Sequence, residues 1–149
     1  MASEWRRGAY RVSTDLRQID FDTVHRFLSS SYWSPGIARE TVERAARNAL
    51  VFGLHHDAEG GQGPQQVGYA RVLTDYVAIA YVLDVFVLEA HRGGGLARWL
   101  METILAHPEL RDVRTWLLKT RDAHRLYETV GFCPVPDPER FMVRTGTQR

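Results

Sequence analysis

Several features that mark large classes of protein are scarce in this 149-residue sequence. The single cysteine, Cys133, cannot form an internal disulfide, and without a paired histidine we expect it to be an inert residue at the edge of the core. The six histidines are scattered apart from the neighbours His55 and His56, so no metal site is expected. We therefore assign no chemistry to a disulfide, a metal ion or a cysteine nucleophile.

An excess of charge of one sign and long apolar runs are also missing. The formal net charge of +1 leaves no basic surplus for a nucleic-acid backbone. The longest apolar stretch, residues 77–88, is too short to span a bilayer and contains Asp84. The first 14 residues lack the apolar segment of a secretory signal. We expect a cytoplasmic protein with no nucleic-acid or membrane partner.

The hydrophobic pattern that is present indicates one mixed α/β domain over residues 1–149. Alternating or continuous apolar runs predict strands at residues 10–14, 50–56, 67–75, 77–90, 113–119 and 141–145. The two runs that meet near Asp75 predict a hairpin, whose second strand is apolar on both faces like a central strand. Residues 57–66 predict a turn-rich loop.

Apolar residues at helical spacing predict four helices between these strands. Asp20 is expected to cap the first helix and Asp122 the fourth, and Gly131 is expected to end the fourth in a left-handed conformation. The predicted buried faces are Phe21, Val24, Phe27 and Leu28; Val42, Ala45, Ala46 and Ala49; Leu96, Trp99, Leu100, Thr103 and Ile104; and Ala123, Leu126, Tyr127 and Val130.

The segment HRGGGLA, residues 91–97, places three glycines between a strand and a helix. Unpaired backbone N–H groups at the positive end of such a helix form a site for an anion, and a phosphate is the expected ligand. The loop lacks the Gly-Lys-Ser/Thr ending of a P-loop, and the third glycine of a dinucleotide-binding loop would fall at Arg98. The pattern that fits is Arg-x-x-Gly-x-Ala, formed by Arg92, Gly95 and Ala97.

This loop resembles the cofactor loop of the GNAT superfamily of acyl-CoA-dependent N-acetyltransferases. Residues 120–132, TRDAHRLYETVGF, are similar to the second signature of that family, with Thr120 in place of the usual asparagine. The resemblance covers residues 67–145, the expected CoA-binding core. It implies a mixed, mostly antiparallel sheet flanked by helices and splayed open where CoA enters. The implied activity is transfer of an acetyl group from acetyl-CoA to a primary amine of a small molecule or peptide.

The resemblance also implies which residues contact acetyl-CoA. The diphosphate is expected on the backbone amides of residues 93–97, with Arg92 closing the loop. The pantetheine arm is expected along the strand end, where the Val87 N–H is an oxyanion donor. The implied cofactor-binding residues are Phe86, Val87, Leu88, Arg92, Gly93, Gly94, Gly95, Leu96, Ala97, Thr120, Ala123 and Tyr127.

Two catalytic residues are expected. Only about one alkyl amine in a thousand is neutral at pH 7, so the reaction needs a proton acceptor. Asp84, a carboxylate inside an apolar strand, is the first candidate, although an aspartate there can also occupy a bulge; Glu89 and His91 are the alternatives. From its place in the second signature, Tyr127 is the expected acid that protonates the departing thiolate, whereas its spacing alone also fits a core tyrosine.

Tyr32 and Trp33, between the first two helices, are candidate acceptor-binding residues together with Asp84, because the family places this segment over the acceptor. Asp75 and Tyr76 at the hairpin tip are further candidates. The sequence identifies neither the amine nor the length of the acyl chain, and the resemblance leaves a homodimer open.

Two other functions remain open at this stage. The first is a CoA-binding sensor or partner-binding module without acetyl transfer. It is favoured by Thr120 and by Leu83, which stands where the similar strand of diamine acetyltransferases has a glutamate. The second is a structural domain whose glycine loop binds nothing, which a lack of acetyl-CoA binding would support.

Overall fold

A computed structural model describes residues 1–57 and 63–146, and these residues form one six-stranded sheet in the order β1-β2-β3-β4-β5-β6. All neighbouring strands are antiparallel except β5 and β6, which run parallel. The mixed, mostly antiparallel sheet is therefore confirmed. The strands are β1 (Glu4–Arg7), β2 (Tyr10–Ser13), β3 (Leu50–Asp57), β4 (Pro64–Thr74), β5 (Ile79–Val87) and β6 (Thr115–Leu117).

The helices follow the sequence pattern closely. Asp20 caps the first, where its carboxylate accepts hydrogen bonds from the N–H groups of Asp22 and Thr23. A 3-10 turn at Glu89–His91 links β5 to the glycine loop. The α-helices are α1 (Phe21–Ser29), α2 (Arg39–Arg47), α3 (Leu96–Leu105) and α4 (His124–Glu128).

Each face of the sheet carries its own hydrophobic cluster. Because side chains alternate along a strand, β3 points Phe52 and Leu54 to one face and Val51 to the other. The first face packs against α3 and α4, and the second against α1 and α2. Helices therefore flank both faces, as the sequence predicts.

A β-bulge interrupts the pairing of β4 with β5. Arg71 pairs with Leu83 and Tyr69 pairs with Phe86, so Asp84 and Val85 together lie opposite one residue of β4. The backbone of Asp84 has φ of +56°, a conformation that residues other than glycine rarely adopt. The bulge thus gives β5 a local bend at the position of a candidate catalytic residue.

The sequence-based assignment departs from the structure at two elements and agrees with it at Gly131. Strand β1 is missing from the sequence-based assignment because its four residues show no clear alternation. Helix α4 begins at His124, and the Ala123 N–H donates to the Thr120 hydroxyl, 2.9 Å away, so Asp122 is not the cap. Gly131 does adopt the predicted positive φ, +99°.

The predicted strand at residues 141–145 is also absent. Phe141, Met142 and Val143 are 54%, 98% and 80% exposed, and this apolar segment has no strand partner among the described residues. The edge that β6 offers is only three residues long, and Cys133 beside it is exposed rather than at the edge of the core. Of the predicted loop at residues 57–66, Asp57 and residues 64–66 belong to strands, and residues 58–62 lie outside the described part of the chain.

His55 is a polar residue buried in the core beside Gly53. It is 4% exposed, and its ring fills the space beside Gly53, where a Cβ would lie 2.7 Å from Nε2. The Nε2 atom has no hydrogen-bond partner among the described residues. Burial, with a smaller contribution from the charge of Arg11, lowers the pKa of His55 to about 4.

This lowered pKa predicts a loss of stability in mild acid. Between the ordinary histidine pKa of about 6.5 and the folded value of about 4, the unfolded chain binds a proton on His55 that the folded chain does not. The free energy of unfolding should therefore decrease as the pH falls through this window, by up to about 3 kcal/mol from His55. Urea unfolding at pH 7 and pH 4.5 should show a smaller decrease in His55→Leu than in the exposed control His124→Leu. Equal decreases in both variants would contradict the assignment.

Candidate active site

The parallel pair β5 and β6 separates soon after it forms. Only Ile79, Ala80 and Tyr81 of β5 pair with β6, and β5 then continues for six residues to Val87. A cavity of about 570 Å³ opens in the resulting gap. Its walls are residues 81–85 of β5, residues 118–123 after β6, and Tyr127 of α4.

The segment between α1 and α2 covers this cavity. The Trp33 indole N–H donates a hydrogen bond to Asp84 Oδ1 at 3.0 Å. The Tyr32 hydroxyl accepts one from the Arg121 N–H at 3.2 Å, and the Arg121 guanidinium lies 3.8 Å from the centre of the Tyr32 ring. One aromatic residue therefore contacts each side of the gap, and the pair spans it.

Asp84 is held from two directions. Its side chain is 9% exposed, and Arg71 Nε on β4 donates to Oδ2 at 2.6 Å, while Trp33 occupies Oδ1. Each carboxylate oxygen has a second lone pair, so Asp84 can still accept a hydrogen bond from a group in the cavity. The bulge brings this side chain to Arg71. The alternative from the sequence, that Asp84 occupies a bulge, is therefore correct.

Tyr127 is both a core residue and a residue that lines the cavity, so its position fits both of the roles that the sequence left open. The residue is 9% exposed and its ring packs edge-on against Phe132, with the ring centres 6.0 Å apart, so it belongs to the core. It also lines the cavity together with Asp84. Burial, followed by the influence of Tyr32, raises the pKa of Tyr127 to about 12. The phenol therefore stays protonated at neutral pH and is available as a proton or hydrogen-bond donor.

The glycine loop lies at the end of β5 and leads into α3. Gly95, with φ of +77°, is the N-cap residue of α3, and no side chain caps the free N–H groups of this helix. A Cβ on Gly93 or Gly94 would meet no described atom within 4 Å, so the space beside these residues is open. Arg92 Nε donates to the Val87 carbonyl at 2.8 Å and holds the loop against β5.

These features suit two parts of acetyl-CoA, the diphosphate and the pantetheine arm. An uncapped helix N-terminus with open space before it suits a diphosphate. The edge of β5 beyond Tyr81 has no strand partner on the β6 side among the described residues, so its backbone is available to the amides of a pantetheine arm. The Phe86 and Val87 side chains are buried in the two clusters, which leaves only their backbone for such contacts.

Other predicted residues lie outside this cavity. Glu89 and His91 belong to the turn before the glycine loop, and His91 Nδ1 is 2.9 Å from the Tyr10 hydroxyl. Asp75 accepts hydrogen bonds from three backbone N–H groups of the β4–β5 turn, a structural role, and Tyr76 lies in the same turn. The structure therefore unites Tyr32, Trp33, Asp84, Thr120, Ala123 and Tyr127, but not the alternative bases.

Two arginines of the site escaped the sequence analysis. Arg71 lies opposite Leu83 in the strand register, and the bulge that follows brings the carboxylate of the next residue, Asp84, to the Arg71 guanidinium. Arg121 precedes α4, and its contact with Tyr32 joins segments 89 residues apart. Neither contact leaves a pattern in the sequence.

An open strand edge beside a glycine loop at a helix N-terminus is the arrangement that the resemblance to acyl-CoA-dependent transferases implies. The model of the acetyltransferase (GNAT) domain matches residues 48–134 of this chain. A provisionally named acetyltransferase of Gibberella zeae is 33% identical over 145 residues, covering 85% of this chain and 81% of the relative.

Solved structures agree with this match. A provisionally named acetyltransferase of the GNAT family from Xanthomonas campestris pv. campestris is 40% identical, with a TM-score of 0.84 over 92% of this chain and 93% of that protein. A predicted acetyltransferase from Clostridium acetobutylicum, solved with acetyl-CoA, shares the fold at 15% identity and a TM-score of 0.67, covering 97% and 96% of the two chains. This protein belongs to the GNAT family and is an acetyltransferase.

The residues that the structure describes contain no group of three or more histidine, cysteine, aspartate or glutamate residues that could hold a metal ion. None of the helices in the same part of the chain is long and apolar enough to cross a membrane.

Proposed function

We propose that this acetyltransferase transfers the acetyl group of acetyl-CoA to a primary amine of a small molecule or peptide, by direct attack within a ternary complex. The observation that supports this proposal is that Asp84 and Tyr127 line one cavity in the gap between β5 and β6. A proton acceptor and a proton donor are both needed for amide formation from an ammonium and a thioester. The aromatic cover of Tyr32 and Trp33 gives the cavity a wall for the acceptor.

Acetyl-CoA supplies the reactive thioester. Its diphosphate is assigned to the backbone N–H groups of residues 93–97, and its pantetheine arm to the open edge of β5, where Val87 offers a backbone oxyanion donor. The Thr120 hydroxyl already accepts from the Ala123 N–H, but its own proton is free for the arm. Threonine can thus replace the usual asparagine as a donor with shorter reach.

Tyr127 is assigned as the donor to the departing sulfur. Burial raises the pKa of Tyr127 to about 12, above that of an ordinary thiol, so complete proton transfer from the phenol of the free enzyme to the thiolate is uphill. We infer that the hydroxyl first donates a hydrogen bond to the sulfur as negative charge develops there. Transfer of the proton then accompanies departure of the thiolate.

Asp84 is assigned as the group that receives the acceptor's ammonium and takes up its proton, directly or through water. Its carboxylate faces the cavity and keeps lone pairs free beside Arg71 and Trp33. Arg71 forms an ion pair with Asp84, so the carboxylate that would bind the acceptor already has a cationic partner. A cationic amine is attracted less strongly by such a pair, which favours substrates that also contact the aromatic cover.

Replacement of Tyr127 by phenylalanine tests the donor. The variant keeps the ring in the core but removes the hydroxyl, so kcat should fall about 100-fold or more with an unchanged affinity for acetyl-CoA. Release of the CoA thiol with a panel of primary amines measures the rate, and titration calorimetry measures the affinity. The control Tyr76→Phe, in the turn outside the cavity, should be as active as the wild type. Normal turnover of Tyr127→Phe would refute the role of Tyr127.

Replacement of Asp84 by asparagine tests the acceptor of the proton. The amide keeps the hydrogen bond from Trp33 but cannot take up a proton, so kcat/KM for the amine should fall about 100-fold while acetyl-CoA binds normally. Asp57→Asn is the matched control, because Asp57 is also a strand aspartate paired with an arginine, Arg11, and lies outside the cavity. Full activity of Asp84→Asn would move the role to water.

A catalytically silent CoA-binding module is the competing function. The departures at Thr120 and Leu83 favour it, whereas a protonated Tyr127 in the same cavity as Asp84 favours catalysis. Acetyl-CoA binding without thiol release, across amines of varied size and charge, would support the silent module.

A further inference from the structure

The hairpin of β1 and β2 lies against the glycine loop. A Cβ on Gly95 would be 3.9 and 4.0 Å from Nη1 and Nη2 of Arg7, the last residue of β1. Arg7 is exposed, and no carboxylate of residues 1–57 or 63–146 forms an ion pair with it. Its neighbour Arg6, in contrast, pairs with Glu4 and Asp57. Arg7 thus brings an unneutralised charge to the start of α3.

Hydrogen bonds made by residues other than Arg7 hold the hairpin of β1 and β2 beside the glycine loop. The Tyr10 hydroxyl is 2.9 Å from His91 Nδ1, in the turn that leads into the loop. The Asp57 N–H donates to the Ala9 carbonyl at 2.8 Å and ties the hairpin turn to β3. Arg7 is therefore presented to the loop by the backbone, and its guanidinium remains free to bind another group.

A cavity of about 430 Å³ separates the hairpin from the loop. The residues that line it include Arg7, Tyr10, His91 and Arg92, and its lining contains no aspartate or glutamate. Burial, followed by the charge of His56, lowers the pKa of His91, so the lasting positive charges here belong to the two arginines. Because Arg92 Nε already donates to the Val87 carbonyl, Arg7 has the freer guanidinium.

We propose that Arg7 binds the diphosphate of CoA from the side opposite the loop amides. The inference rests on the proposed binding of acetyl-CoA at residues 93–97. A guanidinium matches two phosphate oxygens with a planar pair of N–H donors, which a backbone loop cannot do. The position next to Gly95, where the free amides of α3 begin, favours the diphosphate over the more distant 3′-phosphate of CoA.

This role gives β1 a function in cofactor binding that neither of the two sequence signatures contains. The diphosphate would be held between the N-terminus of α3 and the hairpin, with Arg7 as a binding residue and Tyr10 as a positioning residue. Binding would in turn neutralise the charge of Arg7.

Titration calorimetry of the whole chain tests the proposal with two ligands, CoA and 3′-dephospho-CoA. Arg7→Gln should bind both ligands about tenfold more weakly than the wild type, and by the same factor, because both carry the diphosphate. Arg7→Lys should recover part of the loss, since it restores the charge without the planar fork. Arg6→Gln removes the same charge from the same strand and should bind within about twofold of the wild type. Melting temperatures of the free variants show whether the hairpin is intact.

The salt dependence separates a phosphate contact from a structural effect. Raising the NaCl concentration should weaken binding to the wild type more steeply than binding to Arg7→Gln, because the variant has lost a screened charge pair. Equal affinities of Arg7→Gln and wild type would overturn the proposal, as would a loss seen with CoA but not with 3′-dephospho-CoA or an equal loss in Arg6→Gln. If the wild type binds neither ligand, the proposed function fails together with the inference; if only the Arg7 comparison fails, the proposed function stands.

Discussion

The early separation of β5 from β6 determines where the candidate active site lies. Three residue pairs join the two strands, and beyond Tyr81 the edge of β5 needs other partners for its backbone. Helix α4 and the aromatic residues Tyr32 and Trp33 close the sides of the gap without filling it. A sheet that paired fully here would have neither a cavity nor an open edge, so the site is a consequence of strand pairing that stops early.

Polar groups in this gap are held in place by partners rather than left to solvent. Arg71 and Trp33 bind the two oxygens of Asp84, and the bulge in β5 makes this geometry attainable at the expense of a strained backbone. Tyr127 has the opposite environment, in which burial keeps its phenol protonated. One cavity thereby contains a carboxylate that is hydrogen-bonded to an arginine and a phenol that burial keeps protonated.

Local patterns made strands β2 to β6, the first three helices and the β4–β5 hairpin predictable, because apolar periodicity and the Asp20 cap are recorded in consecutive residues. The glycine loop and the Tyr127 segment were predictable for the same reason. The Arg71–Asp84 pair was not, since a one-residue bulge changes which side chains meet and leaves no mark in the alternation. The strand predicted at residues 141–145 fails because β propensity does not supply a partner strand. Arg7 reaches the loop through a hairpin whose first strand is too short to recognise.

We propose that acetyl-CoA occupies the gap between β5 and β6 and the glycine loop beyond it. Amide hydrogen exchange, measured with and without acetyl-CoA, tests this claim at the backbone groups that would bind. We predict slower exchange in peptides that cover residues 85–97, where the open strand edge and the free amides of α3 lie, and little change in β3, whose amides are already paired. Saturating acetyl-CoA that leaves residues 85–97 unprotected, or that protects only a different surface, would contradict the account.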